Sequence, residues 1–377
     1  MKRLSGNQIR VGQPIPFDCY DSQGNLLLKK GLIVDSQRQV DALVERGLFG
    51  VDTASGSGEN PNIDDKPPSP FQLLNDYANR LKQLFALITS SSIDERENAA
   101  KSFPDRIGSL AVDVQKVCQL NTDAVLGAIH LDNTGRYSVS HALYRAVICD
   151  LLALRKKLSD EDRRKLIVAA LTCDLSIMKL QDEVIRQNEP LTPQHKISIT
   201  NHPMESAKML STFNVTDPQI IKAVVQHHER LNGSGYPAGA VSTNISEWAK
   251  ILRLADIYTA MIAPKTYRKA FLSKTAMREI LLKRGTEIDE MLSVFIVKEL
   301  GVYPPGSFVK LQNGELAIVI NRSANPKAPN VKSVVGPRGA PFDKPILRNT
   351  TAREFEILDV VERDPIVVIN LHLLWGY

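Results

Sequence analysis

Residues 227–237 have the sequence HHERLNGSGYP, and this stretch decides how the rest of the chain is interpreted. The residues before it, from Pro218, predict a helix that the glycine-rich turn ends. Neighbouring histidines point about 100° apart on a helix, so both reach one site only near a helix end. Imidazoles together with oxygen ligands suit Fe, Mn, Zn or Ni. The pattern therefore indicates a metal site, and a pair of solvent-exposed histidines is the alternative.

Two aspartates lie in apolar helical surroundings elsewhere in the same region. Asp174 ends the run LIVAALTCD, and Asp256 lies within ILRLADI. Aspartate is almost never fully buried without a partner, and a nearby arginine or a helix cap could be that partner. Because six of the 7 histidines are in the same helical region, shared metal ligation explains both aspartates better.

The composition is that of a soluble globular protein. The 377 residues suggest two or three domains, and 43% are hydrophobic and 24% charged. The net charge of +5 suits an anionic ligand, but no run of lysine and arginine argues for nucleic acid. No signal peptide and no apolar run of about 20 residues is visible. Four scattered cysteines indicate reduced thiols, so we expect a cytoplasmic protein that does not enter a membrane.

The chain is predicted to be mainly α-helical, with small additions at both ends. We expect a small α+β module over residues 1–52, with two strands and a helix that Ser36 caps, and a linker over residues 53–70. A helical connector over residues 71–121, an all-helical domain over residues 122–303 and a β-rich appendage over residues 304–377 follow. The appendage begins with a hairpin whose turn contains Asn313 and Gly314.

Several helix starts are marked by residues that favour the N-cap position. They are Ser159, Thr192, Asp217, Ser246 and Ser273. Ser159 together with Asp162 predicts a capping box.

From about residue 122 to residue 300, the chain resembles the HD-GYP domains of the HD superfamily of metal-dependent phosphohydrolases. Their pattern is a first His, a His-Asp pair followed by Ile-Gly-Lys, a lone His, a His-His-Glu and Gly-Tyr-Pro loop, and a late Asp. His141 resembles the first His, and His202 the lone His. The loop at 227–237 matches closely, and Asp256 resembles the late Asp.

This chain departs from the family pattern at the His-Asp pair. The family's His-Asp-Ile-Gly-Lys is replaced by Cys173-Asp174-Leu175-Ser176-Ile177. The histidine is thus Cys173 and the lysine is Ile177, while the acidic position of the loop is Asn232. Cys173 could ligate a metal as a thiolate, or it could be a small buried hydrophobic residue.

The resemblance implies a centre for one or two divalent ions (Fe, Mn, Zn or Ni) that share Asp174. One ion would be held by Asp174, His202, His227 and His228. The other would be held by His141, Asp174, Asp256 and the missing histidine, or Cys173 in its place. Asp174, His227 and His228 would act in catalysis. The implied substrate-binding residues are Gly235, Tyr236, Pro237, Arg253, Tyr267 and Arg268.

The implied function is hydrolysis of cyclic di-GMP or a related cyclic dinucleotide, weakened by the changed His-Asp pair. The alternative is a catalytically inactive regulatory module that binds cyclic di-GMP or a partner protein such as a diguanylate cyclase. A helical scaffold with a vestigial site is a third hypothesis. A homodimer is compatible with each of them.

Overall fold

The computed structural model describes residues 67–377 apart from 91, 133–134, 265–269, 364–366 and 368, together with 2–3, 11, 15, 18–20, 26–28 and 49–51. The predicted helix after Ser36 and most of the predicted linker lie outside the described residues. Four short antiparallel strands form the N-terminal sheet in the order β1-β4-β2-β3. They are β1 (Lys2–Arg3), β2 (Asp18–Tyr20), β3 (Leu26–Leu28) and β4 (Phe49–Val51).

A continuous run of helices follows, as the sequence predicts. The helices are α1 (Pro70–Ile88), α2 (Ile93–Leu120), α3 (Thr122–Leu131), α4 (Tyr137–Arg155), α5 (Asp160–Thr172), α6 (Met178–Val184), α7 (Pro193–Thr212), α8 (Pro218–Gln226), α9 (Glu247–Ile262), α10 (Ser273–Leu282) and α11 (Glu290–Leu300). Their buried apolar side chains, from Phe71 to Leu300, form one continuous hydrophobic core. The predicted connector, residues 71–121, contributes to this core. None of the described helices combines the length and the apolar content that a membrane span requires.

Most of the predicted helix starts are confirmed. The side chains of Thr192, Asp217 and Ser246 accept hydrogen bonds from backbone N–H groups of the first turns of α7, α8 and α9. A complete capping box forms instead at Ser69 and Gln72, before α1.

Two predicted caps are wrong in detail. Ser159 accepts the N–H of Asp162, but its hydroxyl donates to the Asp162 side chain, so the reciprocal bond of a capping box is not made. Ser273 is the first residue of α10, and Leu272 precedes it as the cap residue. The Ser273 hydroxyl lies 2.9 Å from that of Ser307, so a tertiary contact has replaced the cap.

The C-terminal part is a five-stranded antiparallel sheet in the order β8-β7-β6-β5-β9, which confirms the predicted β-rich appendage. Its strands are β5 (Phe308–Leu311), β6 (Leu316–Asn321), β7 (Asn330–Val335), β8 (Pro341–Asn349) and β9 (Ile357–Val360). Gly314 has a φ of 90°, so the predicted turn needs glycine there. A last helix, α12 (Leu371–Trp375), bonds the sheet through the Trp375 indole N–H and the Ile320 carbonyl, 3.0 Å apart.

A buried ion pair joins α4 to α5 at the centre of the helical core. The Arg163 guanidinium donates to both oxygens of Asp150, at 2.9 Å each, and both side chains are almost fully buried. Burial raises the pKa of Asp150, although Arg163 opposes that change. A charge in this position needs its partner because water cannot replace it.

Replacing Asp150 with Ala should lower the free energy of unfolding by about 3–5 kcal/mol, because the Arg163 charge would stay buried without a counter-ion. Urea denaturation measures the change. The matched control is Asp160→Ala, which removes the exposed carboxylate on the other side of Arg163 and should cost less than about 1 kcal/mol. Equal losses in the two variants would contradict this account.

Candidate metal centre

The histidines and aspartates that the sequence singles out converge from five helices. His141 is in the second turn of α4, and Asp174 follows the end of α5. His202 is in the middle of α7, His227 is the C-cap residue of α8, and Asp256 is in α9. Their ligand atoms form two groups, each within 4.8 Å. The first group is Asp174, His202, His227 and His228; the second is His141, Asp174 and Asp256.

The first group presents lone pairs that face each other. The Nδ1 atoms of His202 and His227 lie 2.5 and 2.6 Å from the carbonyls of Ile199 and Val224. A carbonyl only accepts, so each Nδ1 carries the proton and each neutral ring has an unprotonated Nε2. These two Nε2 atoms are 3.2 Å apart, and that of His202 is also 3.2 Å from Asp174 Oδ1. The two Nε2 atoms and the Asp174 oxygen are all acceptors, and a cation bound between them removes their electrostatic repulsion.

The spacing of the first group suits a transition-metal ion. Two ligands that each bind an ion at about 2.1 Å lie roughly 3.0–3.4 Å apart, as the two Nε2 atoms do. The backbone carbonyls that hold each Nδ1 are the outer partners that orient histidine ligands. The donor set and the geometry of this group therefore fit a divalent metal.

The ionisation states of the first group are also those of ligands. Burial alone would raise the pKa of Asp174, but the Arg145 guanidinium and the hydrogen bonds with His202 and His227 hold it well below its usual range. Burial lowers the pKa of His227, and burial together with the neighbouring His227 lowers that of His228 further. The group thus holds one carboxylate, and the imidazoles of His227 and His228 are neutral.

The second group is different, because a charged side chain already contacts its carboxylates. Arg145 is fully buried, and its Nη1 donates to Asp174 Oδ2 at 2.6 Å and to Asp256 Oδ1 at 2.7 Å. Its Nε donates to the carbonyl of Ala170 at 2.9 Å. The same Asp256 oxygen is 3.0 Å from His141 Nε2. The two carboxylates therefore already have a cation between them.

His141 and Cys173, the other two residues considered for the second ion, also fit a metal poorly. His141 Nδ1 has no hydrogen-bond partner among the described residues, and the ring stacks on Tyr137 instead. Cys173 is fully buried in the hydrophobic core and belongs to neither ligand group. Its thiol points to the carbonyl of Ala170 at 3.9 Å, and burial raises its pKa well above the usual value. The environment of Cys173 is that of a small apolar residue rather than of a thiolate ligand.

The loop after α8 is held against the histidine pair by a buried carboxylate. Glu229 is 1% exposed, and it accepts the backbone N–H groups of Ala238 at 2.7 Å and Ala240 at 2.9 Å. Gly235 packs directly on the backbone of this helix end, where an added Cβ would lie 2.5 Å from Glu229 Cα. The Tyr236 ring thereby stacks on His228, with centroids 4.8 Å apart.

The predicted substrate-binding residues have different surroundings. Tyr236 is half-buried beside His228, and Pro237 is exposed. Gly235 serves the packing of the loop. Arg253 is buried on α9 and lies 3.7 Å from the Glu287 carboxylate. Tyr267 and Arg268 lie outside the described residues. A cavity of about 330 Å³ opens beside His141, lined by Tyr137, Tyr144 and Arg186 among others.

Sequence reasoning missed three residues that shape this centre: Arg145, Glu229 and Gln181. Arg145 lies four residues after His141, so both occupy one face of α4, but this spacing does not show that the guanidinium meets two carboxylates. Gln181 on α6 donates to Asp174 Oδ2 at 2.8 Å, a contact across the turn between α5 and α6 that the sequence pattern does not show. Glu229 belongs to the motif, but its role needs the folded loop.

Comparison with known proteins gives one family. Residues 129–292 match the family described as HD domain, which confirms the predicted resemblance. A cyclic di-GMP phosphodiesterase of Pseudomonas aeruginosa is 24% identical, over 85% of this chain and 82% of that protein. Another from Borreliella burgdorferi is 26% identical, over 54% of this chain and 53% of that protein. A 3'3'-cGAMP-specific phosphodiesterase of Vibrio cholerae is 27% identical, over 46% of this chain and 38% of that protein.

The similar solved structures include an HDG"Y"P protein from Bdellovibrio bacteriovorus. Its TM-score is 0.48 and its identity 15%, over 78% of this chain and 98% of that chain.

Gly235→Ala should weaken metal binding at the first group by about tenfold or more, because its Cβ would push the loop away from the helix end that carries the histidines. Titration calorimetry with Mn²⁺ measures this affinity. The matched control is Gly108→Ala, at a helical position where an added Cβ meets no atom within 4 Å. That variant should keep the affinity and gain up to about 1 kcal/mol of stability. Unchanged affinity in Gly235→Ala would show that the loop packing does not support the site.

Proposed function

We propose that this chain, in which residues 129–292 match the family described as HD domain, is a metal-dependent phosphodiesterase for cyclic di-GMP. The observation that carries the proposal is the convergence of Asp174, His202, His227 and His228. A divalent ion held by this group would lower the pKa of a bound water and draw charge from a phosphate. The identity of the metal among Fe, Mn, Zn and Ni stays a prediction.

The exposed side of the centre indicates how a substrate would approach. His228 and Asp256 are the partly exposed members of the two groups, whereas the other ligands are buried. Tyr236 lies beside His228, and the cavity beside His141 opens next to Asp256, which His141 contacts. We infer that the nucleotide lies across this face, with a phosphate at the open side of the ligand group and Tyr236 along one edge.

The substrate class follows from the relatives together with the charge of the chain. Two of the relatives described above are named for cyclic di-GMP and one for 3'3'-cGAMP, so a cyclic dinucleotide is the substrate class to test first. The net charge of +5 favours such an anion in general. Tyr267 and Arg268 stay predicted contacts of the phosphates.

A second candidate function is a regulatory module that binds cyclic di-GMP without hydrolysing it. The observation that favours it is at the second ligand group, where Arg145 contacts both carboxylates, while Cys173 is buried in the apolar core and belongs to neither ligand group. A protein partner such as a diguanylate cyclase, a homodimer and a cytoplasmic location stay predictions.

The test incubates the purified full-length protein with Mn²⁺ or Fe²⁺ and cyclic di-GMP, and separates the linear dinucleotide and GMP by chromatography. We expect product, and we expect His227→Ala to reduce it by at least about a hundredfold, because that substitution removes a ligand of the first group. His195→Ala, which changes a histidine on α7 that belongs to neither ligand group, is the matched control and should retain the rate.

Calorimetry with cyclic di-GMP then separates the two candidates. Binding without product in the wild type would replace the phosphodiesterase by the regulatory module. If the wild type shows no binding and no product, both candidate functions are excluded.

A further inference from the structure

Arg145 is the buried charge that the proposed hydrolysis does not use. Its guanidinium is fully buried in the core, on the face of α4 that carries His141. The Nη1 atom contacts one oxygen of Asp174 and one of Asp256, and the Nε–H fixes the group to the Ala170 carbonyl. The three acceptors lie in α5, just after its end and in α9, so the guanidinium has a defined place in the centre.

The position of the Arg145 guanidinium between Asp174 and Asp256 is incompatible with a second metal ion bound there. An ion shared by Asp174 and Asp256 would lie about 2.2 Å or less from their oxygens. The Arg145 Nη1 atom lies 2.6 and 2.7 Å from oxygens of the same two carboxylates. An ion bound through those oxygens could therefore be no more than about 5 Å from the guanidinium nitrogen. Two cations this close, between side chains that are mostly buried, repel each other strongly.

We propose that the Arg145 guanidinium takes the place of the second metal ion, so that this centre holds a single divalent ion at Asp174, His202, His227 and His228. The inference rests on the metal binding of the proposed function, but not on hydrolysis. The Asp174 carboxylate divides its two oxygens between these cations. Oδ1 faces His202 and His227, and Oδ2 faces Arg145.

Two further observations agree with a guanidinium at this position. Within the described part of the chain, His141 Nδ1 has no hydrogen-bond partner, whereas the Nδ1 atoms of His202 and His227 bond backbone carbonyls, and such bonds usually orient histidine ligands. Cys173, where the family pattern has its ligand histidine, packs in the apolar core. Both differences concern residues considered for the second ion, and the first group is complete.

The test counts metal ions in the full-length protein. The protein is loaded with Mn²⁺, freed of excess ion by gel filtration and analysed by plasma mass spectrometry. We expect about one ion per chain in the wild type. Electron paramagnetic resonance gives an independent measure, because an isolated Mn²⁺ shows a resolved six-line pattern and two coupled ions do not.

Three variants test whether Arg145 is what excludes the second ion. Arg145→Leu combined with Cys173→His removes the guanidinium and restores the imidazole, and we expect about two ions per chain together with the coupled signal. Arg145→Lys keeps a positive charge and should stay at about one ion. His227→Ala should lose the ion of the first group. Because Arg145→Leu leaves two carboxylates without their counter-charge, these variants are produced with Mn²⁺ present, and circular dichroism confirms their folding.

Each result decides between one and two ions. Two ions in the wild type would overturn the inference and leave the proposed phosphodiesterase intact. No ion in the wild type would overturn both. If the folded Arg145→Leu/Cys173→His variant still held one ion, Arg145 would not be what excludes the second. If the Arg145→Leu/Cys173→His variant does not fold, the wild-type count and its spectrum still decide the number of ions.

Discussion

The hydrogen-bonded arrangement of Arg145 between Asp174 and Asp256 is the constraint on which the centre of the helical domain depends. Two carboxylates in an apolar core are unstable unless a cation or hydrogen bonds compensate them. Nη1 contacts both at 2.6 and 2.7 Å, and Gln181 adds a bond to Asp174. The contacts bind α4, the end of α5, α6 and α9 to one point, so these helices are held in register by charge as well as by apolar packing. At an effective dielectric constant near 20, a divalent ion within about 5 Å of the guanidinium would be repelled by several kcal/mol.

The same need to satisfy buried polar groups explains where the ligands lie on their helices. Asp174 and His227 stand just after the last turns of α5 and α8, and the Nδ1 atoms of His202 and His227 bond carbonyls three residues earlier on their own chain segments. Those carbonyls orient the rings so that their Nε2 atoms face each other. Glu229 completes the arrangement, because its carboxylate binds two N–H groups of the loop and so keeps Tyr236 against His228. Positioning in this centre therefore comes from backbone groups, and the apolar core supplies the rigidity.

Much of the fold and the first ligand group could be predicted from the sequence, because both depend on local patterns. Thr192, Asp217 and Ser246 mark helix starts by their own chemistry, and the stretch at 227–237 carries its helix end and its loop in one motif. Ser273 failed as a cap because its hydroxyl bonds Ser307, a residue 34 positions away.

Arg145 could not be identified from the sequence because its contacts, too, are with residues far away along the chain. An arginine in an amphipathic helix usually faces solvent, and only the meeting of α4, α5 and α9 shows that this one faces two carboxylates. The sequence indicated that an arginine could be the partner of the aspartates, but it did not show which arginine.

A guanidinium at the second position preserves the charge balance of the centre without preserving its chemistry. Asp174 and Asp256 are neutralised in part, so the fold does not need a second ion to bury them. Arginine, however, only donates hydrogen bonds and keeps its proton, so it cannot lower the pKa of a water in the way that a metal ion does. Its nitrogen is held by two carboxylates and lies beneath the surface of the centre. If the centre holds a single ion, the rate of the proposed hydrolysis is set by what that ion can do at the first ligand group. A single ion can orient and polarise a phosphate, but it cannot clamp the attacking and the leaving oxygen at once as two ions do.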